Sequence, residues 1–236
     1  MYTFQSHLEN IPLSLELFQQ WIYGNFEMPI DKKSKWNLKA SNVVRVIIAG
    51  NSVSSTIQKQ MKNMSTTTSK IFDTSDMLSS IKVLDDFVSN LTRSVEVDLM
   101  PGEFDPSNYM MPQQPIHHCM FPKASVCKSF NGVPNPYQCE IEGRLILGTS
   151  GQNIQDIERY SRIEDPLECL RSTIQWAHIA PTCPDTLPCY PYHSQDPFVI
   201  TDCPHVYFAG NTPEFKTELY QGKILIIFEM IIMTIN

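Results

Sequence analysis

The chain has 236 residues, 42% of them hydrophobic and 18% charged, which suits a globular protein with one sizeable core. A formal net charge of -7 excludes a large electrostatic nucleic-acid surface, because duplex binding sets lysine and arginine against phosphates. Seven cysteines, an odd number at irregular spacing with no signal peptide ahead of them, read as reduced intracellular thiols. The longest apolar run, 224–235, is broken by Glu229, so no membrane segment is expected.

In chain order, Leu17, Phe18, Trp21 and Ile22 recur at helical spacing, with Ser14 as cap and Gly24-Asn25 as stop. Burying such side chains contributes on the order of 1.5–3 kcal/mol each, so this helix is expected to pack on a sheet. The lysine-bearing segment 31–42 reads as a solvated connection. Residues 43–49 are nearly all β-branched or apolar and end at Gly50-Asn51, the profile of a strand buried on both faces. A polar loop over 52–70 follows. Met77, Leu78, Ile81, Leu84, Val88 and Leu91 form a helical stripe leading into a strand at 95–100, which completes a crossover unit.

Residues 101–137 are rich in proline and irregular, too long a stretch to be idle in a compact domain. The segments 137–141 and 144–147 flank Glu142-Gly143 as a hairpin. Asp165 as cap, Pro166 at the first helical position and Glu168 start a helix through Leu167, Leu170 and Ile174. Strands are expected at 198–201 and 206–209, before Gly210-Asn211-Thr212-Pro213.

In open α/β sheets, function collects in loops at the carboxyl ends of strands. Four such loops carry glycine, at Gly50, Gly102, Gly151 and Gly210, and their order and spacing resemble calcineurin-type metallophosphoesterases. In that family the loops read G-D-x-x-D, G-N-H-[DE], a histidine, and G-H-x-H, and they bind two metal ions. Here Asn51 and Ser54 stand at the two aspartate positions of the first loop. Glu103 and Phe104 replace the asparagine-histidine pair, Ser150 the third-loop histidine, and Asn211 and Pro213 the closing histidines. Only Asp105 keeps its type. One carboxylate among amides and hydroxyls cannot neutralise two divalent cations, so no metal, cofactor or catalytic residue is expected. Descent from such a site still requires Asn51, Asp105, Ser150 and Asn211 to share one rim.

Longer words extend the resemblance. They include Val97-Asp98-Leu99-Met100-Pro101-Gly102-Glu103-Phe104-Asp105-Pro106, His118-Cys119-Met120-Phe121-Pro122, Asn135-Pro136-Tyr137-Gln138 and Leu147-Gly148-Thr149-Ser150-Gly151-Gln152-Asn153. These resemble the small (B) subunits of eukaryotic DNA polymerase delta over residues 10–222. The resemblance implies an α/β chain with a partial calcineurin-like metallophosphoesterase fold, mixed sheets flanked by helices, and the metal ligands lost. Residues 1–222 form that domain, without the oligonucleotide-binding domain and first strand that precede it in the family, and 223–236 are a divergent apolar tail, either a substitute strand or an unrelated segment. It further implies a non-catalytic assembly subunit in the nucleus, acting in DNA replication and repair. Its partners would be the cysteine-rich C-terminal module of the catalytic polymerase subunit and a third, clamp-binding subunit, with DNA touched only indirectly.

Within the proline-rich stretch, Tyr109, Met110, Met111, Met120 and Phe121 are candidates for partner binding, with cover of a sheet edge as the equal alternative. The rival function is an atypical metal phosphoesterase anchored by Asp105 with His117 or His205, and more weakly by Asp98. Two further sets, His117, His118, Cys119 and Cys127, and Cys183, Cys189, Cys203 and His205, lack paired short-spaced ligands at both ends. They read as buried thiols and loop histidines. His178 reads as a structural residue after a helix, and Gln152-Asn153 as the cap of another.

Overall fold

The computed structural model describes residues 13–25, 39–53, 74–228 and 232–235. Strand β1 (Arg45–Ala49) is apolar from Val46 to Ala49, where both of its faces are buried. It lies parallel to β2 (Glu96–Met100), which in turn pairs in parallel with β3 (Phe130–Gly132). The second sheet holds β4 (Tyr137–Ile141), β5 (Arg144–Thr149), β6 (Val206–Ala209), β7 (Lys216–Tyr220) and β8 (Lys223–Ile227) in the order β4-β5-β6-β8-β7. Strands β5, β6 and β8 run parallel, while β4 and β7 are antiparallel edges. Strand β9 (Ile232–Ile235) returns to the first sheet, antiparallel to β1. The chain is therefore mixed α/β, with parallel and mixed sheets flanked by helices.

Side-chain alternation along the strands sorts the core into three layers of contact. Val46, Ile48, Val97 and Leu99 pack against α1 (Leu13–Ile22) and α2 (Thr74–Leu91), through Trp21, Ile22, Leu84, Phe87 and Val88. Ile47, Ala49 and Met100 point the opposite way, onto Ile146, Phe208 and Phe228 of the second sheet. The far face of that sheet, with Leu147, Tyr207, Leu225 and Ile227, packs against α3 (Gln152–Tyr160) and α4 (Pro166–Gln175) through Ile154, Ile157 and Leu170. The layers run helix, sheet, sheet, helix.

Fully buried Asp98 ties the two sheets together. Its Oδ2 accepts from Arg45 on β1 at 3.0 Å and from the Tyr137 hydroxyl on β4 at 2.8 Å, and its Oδ1 from Asn131 on β3 at 3.0 Å. Burial, then the hydrogen bond to Asp98, push the Tyr137 hydroxyl far above its usual pKa, so it stays a donor.

Most expected elements form where periodicity places them. Asp165 accepts from Leu167 N–H at the start of α4 with Pro166 at its first position, and Glu142 and Gly143 take positive φ in the β4–β5 turn. Four readings need correction. Ser14 lies inside α1 rather than ahead of it, and Leu15 enters the core where Leu17 stays exposed. No strand forms at 198–201: Phe198 fills the core and its N–H is taken by Asp196 at 2.9 Å, leaving one isolated bridge between Val199 and His178. Neither Gln152 nor Asn153 caps α3, whose cap is Gly151. Of the two alternatives for 223–236, the unrelated tail gives way to the strand, since 223–227 forms β8 in the interior of its sheet and 232–235 forms β9. Most of the connection 31–42 and of the loop 52–70 lies outside the described residues. Among the described residues no helix is long and apolar enough to cross a membrane.

Removing the buried carboxylate leaves Arg45 and the Tyr137 hydroxyl without their shared acceptor. Asp98→Ala is therefore expected to cost about 2–4 kcal/mol, seen as a lower urea midpoint at unchanged slope. A loss under about 0.5 kcal/mol, the range of a neutral surface change, would contradict the tie between the sheets.

Candidate functional site

The four glycine-bearing loops meet at one rim, above the carboxyl ends of β1, β2, β5 and β6. Gly50, at φ +81°, sits so close to the next two loops that a Cβ there would stand 2.8 Å from both Gly102 Cα and Ser150 Cβ. Gly151, at φ +93°, closes the remaining contact, since its Cβ would stand 2.0 Å from Gly210 O. Asn51 and Asn211 follow glycines and take φ +53° and +57°, a left-handed backbone that asparagine tolerates better than most residues.

The side chains at this rim bond inward. Asn51 Oδ1 accepts from Phe104 N–H at 3.1 Å. Asn211 Nδ2 donates to Ala49 O and Ser150 O, both at 3.0 Å, and so joins β1, β5 and β6. Asp105 is buried, and its two oxygens accept from Val53 N–H and Gly102 N–H, each at 2.9 Å. Burial pushes this carboxyl above its usual 3.8, while the N–H groups around it pull back only in part.

Behind these side chains lies a set of amides that sequence reasoning missed. Asn135, fully buried, places Nδ2 at 2.8 Å from Gln113 Oε1, 2.7 Å from Ser150 Oγ and 2.9 Å from Gln152 Oε1. Its Oδ1 accepts from Ser150 N–H at 3.2 Å, and Gln113 Nε2 donates to Gly102 O at 3.0 Å. Asn135 and Gln113 also exchange backbone bonds of 2.7 and 3.1 Å. The one signal for them in the sequence was a position next to proline, and spacing alone carries no partner for an amide.

This donor set does not fit a pair of divalent cations. The one carboxylate is sealed behind backbone N–H groups, and the amides and hydroxyl of Asn51, Ser150 and Asn211 are spent on neighbouring loops. Glu103 borders a small cavity with Tyr109, Gln152 and Arg159, and exposed Pro213 lines a different groove with Glu158 and Asp165. Ser54 lies outside the described residues.

The other candidates separate. Tyr109 and Met110 are exposed, but Met111 and Phe121 are core residues at 1% and 0% exposure and Met120 is half-buried. Met111 and Phe121 are thus corrected from docking to packing. His205 immediately precedes β6, at the end of the sheet opposite the rim, where Nδ1 accepts from Leu145 N–H at 3.0 Å. Asp98 is committed to the sheet tie. Burial, then neighbouring Cys189, push the Cys183 thiol up to about 12, which suits a neutral packed thiol. Cys119 and Cys203, expected among buried thiols, are exposed. His178 bonds Asp196 at 2.9 Å and packs on Phe198, a structural placement.

Comparison with known proteins bears on the same residues. The family described as the B subunit of DNA polymerase alpha/epsilon matches residues 5–217. A DNA polymerase delta subunit 2 of Drosophila melanogaster is 43% identical over 210 residues, covering 89% of this chain and 47% of the relative. A DNA polymerase delta small subunit of Oryza sativa subsp. japonica is 46% identical over 183 residues, 78% of this chain and 42% of the relative. The DNA polymerase delta small subunit of Saccharomyces cerevisiae is 33% identical over 240 residues, 89% of this chain and 45% of the relative. The chain spans about half the length of the curated relatives it matches.

Asp105→Ala strands two buried N–H groups, at about 1–3 kcal/mol each, and is expected to lower the unfolding free energy accordingly. The folded pKa is raised, so the stability this proton contributes is fully present below the unfolded 3.8 and is lost as pH rises through the folded value. That slope should vanish in Asp105→Ala when denaturation is followed as a function of pH. An identical pH profile in both proteins would contradict the burial argument.

Proposed function

This chain belongs to the DNA polymerase alpha/epsilon B-subunit family, and from that premise we propose that it is a non-catalytic assembly subunit of a DNA polymerase delta complex, acting in DNA replication and repair in the nucleus. It would dock the cysteine-rich C-terminal module of the catalytic subunit and a third, clamp-binding subunit, and reach DNA only through them. The observation that carries the non-catalytic part is the closed rim, where Asp105, Asn51 and Asn211 hold the loops to one another. Metal charge is poorly gathered, and a water poorly activated, where both Asp105 oxygens and Asn51 Oδ1 are already held by backbone N–H groups. We also propose a degenerate calcineurin-like ancestry, supported by the helix, sheet, sheet, helix layering and by four strand-end loops meeting at the positions where that family keeps its ligands. The acidic balance of -7 supports contact with DNA through partners rather than directly.

On this reading the exposed aromatic and thioether groups at Tyr109 and Met110 are left for docking, beside the rim on a rigid proline-flanked loop. Co-purification with the C-terminal module of a catalytic subunit is expected for the wild-type chain, weakened roughly ten-fold or more by Tyr109→Ala. Full retention by the variant would exclude Tyr109 as an anchor, and failure of the wild-type chain to co-purify would overturn the assembly role. Phosphodiester and 3′-end hydrolysis should stay at background with Mn2+ present. Turnover abolished by Asp105→Ala would instead establish the metal phosphoesterase.

A further inference from the structure

We propose that His117, His118 and Cys119 form a surface binding site for a borderline transition-metal ion of the Zn2+ type. The inference does not depend on the polymerase reading. One ligand atom from each of the three side chains lies within 4.8 Å of the others, and all three residues are exposed. Among the described residues this is the one cluster of three histidine, cysteine or carboxylate ligands so close together. Neither Cys127 nor the set around Cys183 and His205 joins it.

Consecutive residues do not normally share a face, so the juxtaposition needs a cause. His118–Met120 is a single 3-10 turn, and His117 precedes it in extended backbone, φ -63° and ψ 135°. The His117 ring folds back so that Nδ1 accepts from Cys119 N–H at 3.3 Å, and its centroid lies 4.2 Å from that of His118. This bond holds the His117 ring over the Cys119 backbone, and being long it yields readily if an ion takes the nitrogen.

The turn stands on a rigid base. Ile116 and Phe121 on either side are buried at 4% and 0% exposure, and Phe121 N–H bonds His118 O at 3.0 Å. Just beyond, buried Asp85 accepts from Lys123 and Ala124 N–H at 3.1 and 2.9 Å. Two imidazoles and a thiolate without a carboxylate favour Zn2+, Co2+ or Cu+ over Mg2+ and Ca2+. With Zn–N near 2.0–2.1 Å and Zn–S near 2.3 Å, the exposed side chains have only about an ångström to close, and the fourth tetrahedral position is left to water. The bland alternative is a solvated turn with three unrelated polar groups.

Co2+ titration of the full chain, read by near-ultraviolet and visible absorption, separates the two. One equivalent is expected to bind with a thiolate-to-cobalt charge-transfer band that Zn2+ displaces and Cys119→Ser abolishes. His117→Ala and His118→Ala should each weaken the apparent affinity by roughly ten-fold or more. All three positions are exposed, so the variants should keep the wild-type circular dichroism. Absence of stoichiometric binding would overturn the site, as would a charge-transfer band that survives Cys119→Ser.

Discussion

The fold depends on one contact surface, where two sheets press apolar faces together with almost no polar filling. Ile47, Ala49 and Met100 meet Ile146, Phe208 and Phe228 there, and strands with this composition have no solvent face to offer. The fully buried charge on that face, Asp98, is tolerated because Arg45, Tyr137 and Asn131 supply donors to both its oxygens. The contact sets the spacing between sheets, and with it the approach of loops from β1, β2, β5 and β6.

The rim follows from that approach. Backbones brought this close leave room only for glycine at the contact points and for short polar side chains that bond back to the chain. Amides both donate and accept, so Asn135 can bond Gln113 and Gln152 while Asn51 and Asn211 bond backbone N–H and C=O groups, where carboxylates and imidazoles would need an ion. The lone carboxylate survives because backbone N–H groups meet both oxygens. Its raised pKa records that burial still outweighs those bonds. A rim in this state is a structural joint between the sheets.

That outer surface is built by the long proline-rich stretch, which divides its side chains between two tasks. Met111 and Phe121 anchor it in two different core clusters, while Tyr109 and Met110 are presented to solvent just ahead of the first anchor and the 117–119 turn between the two. Side chains held on anchored loops have little conformational freedom left to lose, which is the physical advantage of irregular structure pinned at intervals.

By itself the sequence determined the elements whose periodicity or caps are local. These are the buried β1, the stripe of α2 from Ile81 to Leu91 (though not Leu78, which is exposed), the Asp165-Pro166 start of α4, the Glu142-Gly143 hairpin, and the four glycine loops. Pattern works there because a regular element repeats its environment every two or 3.6 residues. Only the tertiary structure decided which of Tyr109, Met110, Met111, Met120 and Phe121 are buried, that Phe198 fills the core without making a strand, and that Asn135 joins Gln113, Ser150 and Gln152. It also folded His117 back over Cys119. In irregular segments each side chain's surroundings come from residues distant in sequence, so no local period encodes them.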